Sequence, residues 1–352
     1  MKKIFSVCLC LVITLLGFAA CAPKEEDKIV RVLNLGEYIA DGSDELMDVL
    51  AEFEKRTGIS CEYSTVPNNE ALYAKLKGGG VDYDVIVTSD YMLERMIDEN
   101  MLQKLNYSKI TNWGNIYDKY KKPSFDPRQQ YTVPYNVGMV GLIYNSAKVT
   151  TPPTSWNALW NPQYAGKILM FNNPRDTFAI AQSLLGYSFN TTDRDEWTAA
   201  AQKIKDQKPV RYGFVDDEIF DKMQNNETYL APWYAGDFYT MAEINPDLRF
   251  VYPKEGVNSF IDSFAILSDA KNVGAAHKFI DFMLEPDVAL ANAEYLCYAS
   301  PNKTVVENTG YTWYEDEILY PSEGKYPKTE DFKNLPQDVL DLMNTLWDEV
   351  KR

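Results

Sequence analysis

The sequence predicts an α/β fold, a sheet with helices on both faces. Strand-like and helix-like segments alternate from residue 29 onward, residues 85–87 (VIV) are a short wholly apolar run, and the last third carries apolar stripes at helical spacing. Residues 29–35 (IVRVLNL) read as the first strand. Ser43 is expected to cap a helix with Asp44 and Glu45 in its first turn, where the dipole favours acids. Leu46, Val49, Leu50 and Phe53 then fall on one helical face, Lys55 and Arg56 lie in the last turn, and Gly58 stops it. Residues 59–66 predict a second strand and 70–77 a short helix ended by Gly78, Gly79 and Gly80. Residues 85–87 predict a strand of the kind buried in a parallel sheet. A further helix begins at Asp90 and carries Met92, Leu93, Met96 and Ile97.

The middle of the chain continues the pattern. Strands are expected at 137–144, 166–170, 227–233 and 248–252, and a helix at 177–185. Ala275, Ala276, Phe279, Ile280 and Met283 form one helical stripe, Pro286 is placed to start the next helix, and Val339, Leu342, Met343, Leu346 and Val350 form a terminal stripe. These stripes read as core. A length of 352 residues allows two domains, yet no repeat, low-complexity tract or Pro/Gly-rich linker interrupts the chain. Two domains would therefore be joined inside strands, as a hinge.

Composition narrows the function. With 51 Asp+Glu against 35 Lys+Arg the net charge is −16, which argues against nucleic acid and anionic membrane surfaces as partners and suits a cationic ligand. The single histidine, His277, sits between apolar residues of a helix and reads as structural. A single histidine in that setting argues against Ser-His-Asp triads, Cys-His dyads and His-rich metal sites. The sequence has no Walker loop, no G-x-G-x-x-G, no G-x-S-x-G and no H-E-x-x-H. No catalytic residue, metal site or cofactor is therefore assigned, and a binding protein is favoured over an enzyme.

The N-terminus reads as an export signal: Lys2 and Lys3 precede an apolar run from 4 to 20. Residues 16–21 (LGFAAC) resemble a bacterial lipobox, with Phe18 where leucine is usual. The resemblance implies removal of residues 1–20, acylation of Cys21 and a tether over 21–28. Two acyl chains, at about 0.8 kcal/mol per buried CH₂, suffice for a stable anchor. Cys8 and Cys10 leave with the signal; Cys61 and Cys297 remain and could form one disulfide.

The positive signal is acids beside aromatics at strand ends. Glu37-Tyr38 follows the first strand, Ser89-Asp90-Tyr91 follows 85–87, Trp233 and Asp237 sit in WYAGD, and Phe260 and Asp262 sit in SFIDSF. Open α/β sheets bind ligands at the C-terminal ends of their strands. Rings that cover methylenes and attract charge, with carboxylates for the termini, suit an organic cation, each cation–π contact adding about 0.5–2 kcal/mol. The same residue types also leave open a sugar, an amino acid or another organic cation as ligand, an exported sensor, and a hydrolase using two carboxylates.

The stretches LNLGEYI (33–39), STVPNNEALYAKLK (64–77), YDVIVTSDYMLERMIDENMLQKL (83–105), NPQYAGKILM (161–170), APWYAGDFY (231–239), YPKEGVNSFIDSFAI (252–266) and CYASPN (297–302) resemble the bacterial spermidine/putrescine-binding proteins of polyamine ABC importers. The resemblance implies a type II periplasmic-binding-protein-like fold, two α/β lobes joined by crossover strands with the ligand between them: residues 29–138 plus 262–306 in lobe 1, and 139–261 plus 307–352 in lobe 2. It implies ligand contacts from Glu37, Tyr38, Ser89, Tyr91, Asp176, Trp233, Asp237, Phe260, Asp262 and Tyr298, with Asp262 and Asp237 holding ammonium groups. Leu35 stands where the family has tryptophan, and Asn173 where spermidine-preferring members have an acid. The partners implied are a polyamine, a permease with its cytoplasmic ATPase, and the membrane through the lipid anchor, the chain itself being a monomer. The location implied is the outer face of the bacterial cytoplasmic membrane.

Overall fold

Strand β1 (Ile29–Leu35) opens the described part of the computed structural model, which comprises residues 28–352; the signal segment 1–20, Cys21 and the tether up to residue 27 lie outside it. Helix α1 (Val49–Thr57) starts later than expected. Ser43–Glu45 makes only one 3₁₀ turn, because Leu46 takes extended backbone, and the cap is Asp48, whose carboxylate accepts from the Ala51 N–H at 2.9 Å. Gly58 ends the helix in the left-handed region, as its lack of a Cβ allows. Then come β2 (Ser60–Val66), α2 (Asn69–Gly78), β3 (Val85–Thr88) and α3 (Asp90–Asp98). The long β4 (Thr132–Asn145) leads to β5 (Ile168–Phe171), α4 (Pro174–Leu185), α5 (Arg194–Lys205), β6 (Arg211–Val215), α6 (Ile219–Gln224), β7 (Leu230–Tyr234), α7 (Ala235–Ile244) and β8 (Leu248–Val251). The chain ends with β9 (Val257–Ile266), α8 (Val273–Met283), α9 (Pro286–Leu296), α10 (Lys303–Val306), β10 (Thr329–Asp331) and α11 (Gln337–Lys351).

The sheet order is β2-β1-β3-β9-β4-β7-β5-β6, with β10 added to β9 and β8 to β4. It is mixed. Strand β3 pairs parallel with β1 but antiparallel with β9, so the run at 85–87 is buried in a mixed rather than a parallel sheet. Strands β4 and β9 lie at the centre and pair antiparallel from Thr132–Ala265 to Met139–Ser259, with a register shift between Pro134 and Asn136. Beyond Met139, β4 changes partner and pairs with β7 and β8. One side of this central pair buries Val30, Val32, Val87, Phe264, Phe279 and Ile280; the other buries Leu142, Ile143, Leu169, Met170, Ile219 and Leu230. The terminal stripe of α11 packs Val339, Met343, Leu346 and Val350 against Trp197 and Ile204 of α5.

The lone histidine is structural. His277 is buried, its Nδ1 bonds the Val273 carbonyl at 2.7 Å and its Nε2 accepts from the Asn106 N–H at 2.9 Å, while burial lowers its pKa. Cys61 and Cys297 are both free thiols, so the disulfide left open by the sequence is not formed.

Candidate ligand-binding cleft

Three strand-to-helix junctions place an acid in the first turn of a helix. Asp90 opens α3 after β3, Asp176 lies in the first turn of α4 after β5, and Asp237 in that of α7 after β7. Helix N-termini favour negative charge, which helps these side chains stay near one another out of water. The local sequences explain the junctions. Asn173 caps α4 by accepting from the Asp176 N–H at 2.9 Å, and Pro174 fits the first turn because it lacks an N–H. Ser89 stands at the cap position of α3 without capping it; its hydroxyl instead donates to Asp262 Oδ1.

Asp262 and Phe260 depart from the expectation of a strand end: both lie inside β9, which spans Val257–Ile266, Asp262 opposite Asn136 at the irregular register of β4. Asp262 is buried and also accepts from the Tyr38 hydroxyl at 2.6 Å. Asp237 is held the same way, accepting from Trp233 Nε1 at 2.7 Å and the Tyr298 hydroxyl at 2.8 Å. Asp176 accepts from the Tyr234 hydroxyl at 3.0 Å, and Tyr91 donates to Glu70 Oε1 at 2.8 Å. Burial raises the pKa of Asp262, Asp237 and Asp176 to about 6 in each case, against the pull of these donors. Desolvation likewise pushes Asp90 and Glu70 up. Asp262 and Asp237 accept only from neutral donors, so their ionised forms lack a compensating cation.

Rings line the same space. Tyr38 meets Tyr298 edge to face at 5.7 Å between centroids, Tyr298 meets Phe260 at 6.3 Å, and Phe260 meets Tyr234 at 5.6 Å. Trp233 stacks on Phe171 at 4.6 Å. Gly236 is what lets Tyr298 reach Asp237: a Cβ there would lie 2.2 Å from the Tyr298 ring. Glu37 is exposed at the rim, its backbone in the left-handed region (φ 48°), unusual for a non-glycine residue.

Every site residue expected from the sequence lines this one cavity: Glu37, Tyr38, Ser89 and Tyr91 with Asp176, Trp233, Asp237, Phe260, Asp262 and Tyr298. Leu35 lines it where the resemblance expects an indole, and Asn173 where it expects a second acid. Sequence reasoning missed Glu70, Asp217, Tyr234, Phe171 and Phe332, which also line it. Only Tyr234 had a usable signal, its place between Trp233 and Asp237. Chemically the cavity offers fixed anionic acceptors and apolar faces.

A cavity of buried acids and rings reached from strand-to-helix junctions, with central strands shared by both halves of the sheet, is the design of a solute-binding protein. The chain belongs to the bacterial extracellular solute-binding proteins, whose family model matches residues 83–319, and within them it groups with the spermidine/putrescine-binding proteins of ABC transporters. It is 35% identical over 339 residues to the spermidine/putrescine-binding periplasmic protein of Salmonella typhimurium, covering 96% of this chain and 95% of that one. It is 28% identical to the putrescine-binding periplasmic protein PotF of Escherichia coli, covering 93% and 92%. A solved Listeria monocytogenes structure assigned to a spermidine/putrescine ABC transporter superposes with a TM-score of 0.86 at 35% identity, over 92% of this chain and 99% of that one. The fold is that of the type II periplasmic binding proteins, and the chain is an exported transporter component, not an enzyme.

Proposed function

We propose that this chain captures a polyamine, spermidine and/or putrescine, and delivers it to the permease of an ABC importer driven by a cytoplasmic ATPase. The observation that carries the reading is the convergence of Asp262, Asp237 and Asp176, from β9, α7 and α4, on one cavity walled by Tyr38, Trp233, Phe260 and Tyr298. Buried carboxylates with raised pKa values gain most from an ammonium partner, because pairing restores the ionised form that burial penalises. The rings cover the methylenes between the charges. Glu37, Ser89 and Tyr91 complete the ligand contacts.

The lobes are residues 29–138 with 262–306 and 139–261 with 307–352. They hinge where β4 and β9 pass between them, and the closed form docks on the permease. The protein acts as a monomer held by acylated Cys21 on the outer face of the cytoplasmic membrane, in a periplasmic space or at the cell surface. The charge excess supports this reading, since 51 acids against 35 bases steer cations inward.

The test is calorimetric titration of the protein lacking its signal with spermidine, putrescine, cadaverine and a neutral sugar. Saturable binding of an amine at one site, with no heat from the sugar, is expected. Binding of the sugar and of no amine would overturn the reading.

A further inference from the structure

We propose that residues 332–335 are a strap that latches the closed lobes, with Asn334 as the positioning residue that holds helix α3 and sets how long a captured amine stays bound. The inference rests on the reading above in one respect, that the amine leaves when the hinged lobes part.

The strap is anchored in the second lobe at both ends. Strand β10 pairs in parallel with Val257–Ser259 of β9. The Glu330 carboxylate accepts from the Phe189 N–H at 3.2 Å and from Asn190 Nδ2 at 3.0 Å, and the Lys333 N–H donates to Asn190 Oδ1 at 2.8 Å. Past the strap, Leu335 is buried with Trp197 of α5 and Val339 of α11. Between these anchors the chain reaches the first lobe. Phe332 is buried and meets Tyr91 edge to face at 5.7 Å, both rings lining the cavity. The Asn334 N–H donates to Glu94 Oε2 at 2.6 Å, and its Nδ2 donates to Asp98 Oδ2 at 3.0 Å. Tyr91, Glu94 and Asp98 fall at i, i+3 and i+7 of α3, so one helix face receives the ring and both bonds.

These contacts have the properties of a latch. The anchors lie within one lobe, whereas the bonds to α3 form only when the lobes meet. Both bonds go to carboxylates, which makes them stronger than bonds between neutral groups. Glu94, Asp98 and Asn334 stand outside the cavity lining, so the latch competes with no ligand contact. Elsewhere the lobes meet through Asn68 Nδ2 and Asp216 at a longer 3.4 Å, and through the Tyr298 hydroxyl on Asp237, an acid assigned to the ligand. Release must break the Asn334 bonds, whereas entry precedes them. The latch therefore slows dissociation and leaves association alone.

Stopped-flow tryptophan fluorescence with putrescine, on the wild type, Glu94→Ala, Asp98→Ala, Asn334→Ala and the Asp98→Ala/Asn334→Ala double variant, tests this. Dissociation should quicken about tenfold in Glu94→Ala, which loses the short charge-assisted bond. It should quicken about threefold in Asp98→Ala and in Asn334→Ala, and no further in the double variant, because the two share one bond. Asn334→Ala alters no charge, so its effect separates the latch from the field of the acids. The association rate of Asn334→Ala and the melting temperature of its empty form should match the wild type. Unmoved dissociation in the variants, or additive effects of Asp98 and Asn334, would overturn the proposal, as would a lowered melting temperature with unmoved dissociation, the mark of a merely structural contact. Should Glu94→Ala not fold, the Asp98–Asn334 comparison decides alone. Amine binding with unmoved dissociation defeats the latch only, whereas a wild type that binds no amine defeats the polyamine reading and the latch with it.

Discussion

The Tyr38 hydroxyl donates to Asp262 at 2.6 Å across 224 residues of sequence. That bond joins the turn after β1 to the middle of β9, and the Ser89 hydroxyl after β3 completes the cradle from the other side. Asp262 is therefore oriented by two donors while its charge lacks a cation.

Asp262→Asn removes that charge and keeps its shape. Polyamine affinity should fall by more than a hundredfold, consistent with about 3–5 kcal/mol for breaking a buried pair. The melting temperature of the empty protein at neutral pH should hold or rise, because an ionised buried carboxylate is itself a cost. Calorimetry and thermal melts check both halves; unchanged affinity would remove Asp262 from the site.

Gly236→Ala should act through Tyr298. The added Cβ would sit 2.2 Å from that ring, so the ring must move and Asp237 loses its 2.8 Å donor. Overpacking of this kind costs about 1–3 kcal/mol. Urea titration should show that loss of stability, and amine binding should weaken by tenfold or more.

Binding should depend on pH with a definite sign. Asp176, Asp237 and Asp262 have pKa values raised to about 6 in the empty folded protein, against about 3.9 when unfolded. Between roughly pH 4 and 6 the folded state holds more protons than the unfolded one, so these groups lower the empty protein's stability as pH rises through that window, and the penalty is complete above it. A cationic ligand requires the ionised form. The rise in melting temperature caused by putrescine should thus be larger at pH 7.5 than at pH 5.0, and its affinity should weaken as pH falls through 6. An effect equal at both values would contradict the assignment.

Both thiols should be free. Alkylation of the unfolded protein lacking residues 1–21, without reductant, should add two groups, at Cys61 and Cys297, and the folded protein should protect Cys297, which is buried. A mass that changes only after reduction would show a disulfide instead.

Much of the fold was legible because local rules and packing agree. Val49, Phe53 and Gly58 mark α1, and Ala275 to Met283 mark α8, as their burial requires. Strand β9 was not legible. Asn258, Ser259, Asp262 and Ser263 break its apolar pattern, and some of those polar residues are what the cavity and β10 use. Such conflict between local pattern and global fold is expected where function is built. Helix α7 hid for a similar reason: it opens with Ala235-Gly236-Asp237, where glycine is a poor helix former but Tyr298 needs its space. The acid–aromatic pairs close in sequence were readable. Glu70 with Tyr91, and Arg175 with Phe332, meet only through tertiary packing, and no spacing rule exposes them.

The most direct test is a crystal structure of the protein with putrescine bound. One amine nitrogen is expected within about 3 Å of Asp262 and the other within the same distance of Asp237, with the methylenes against Tyr38, Tyr298 and Trp233. An amine lodged elsewhere, or these two carboxylates turned from it, would contradict it.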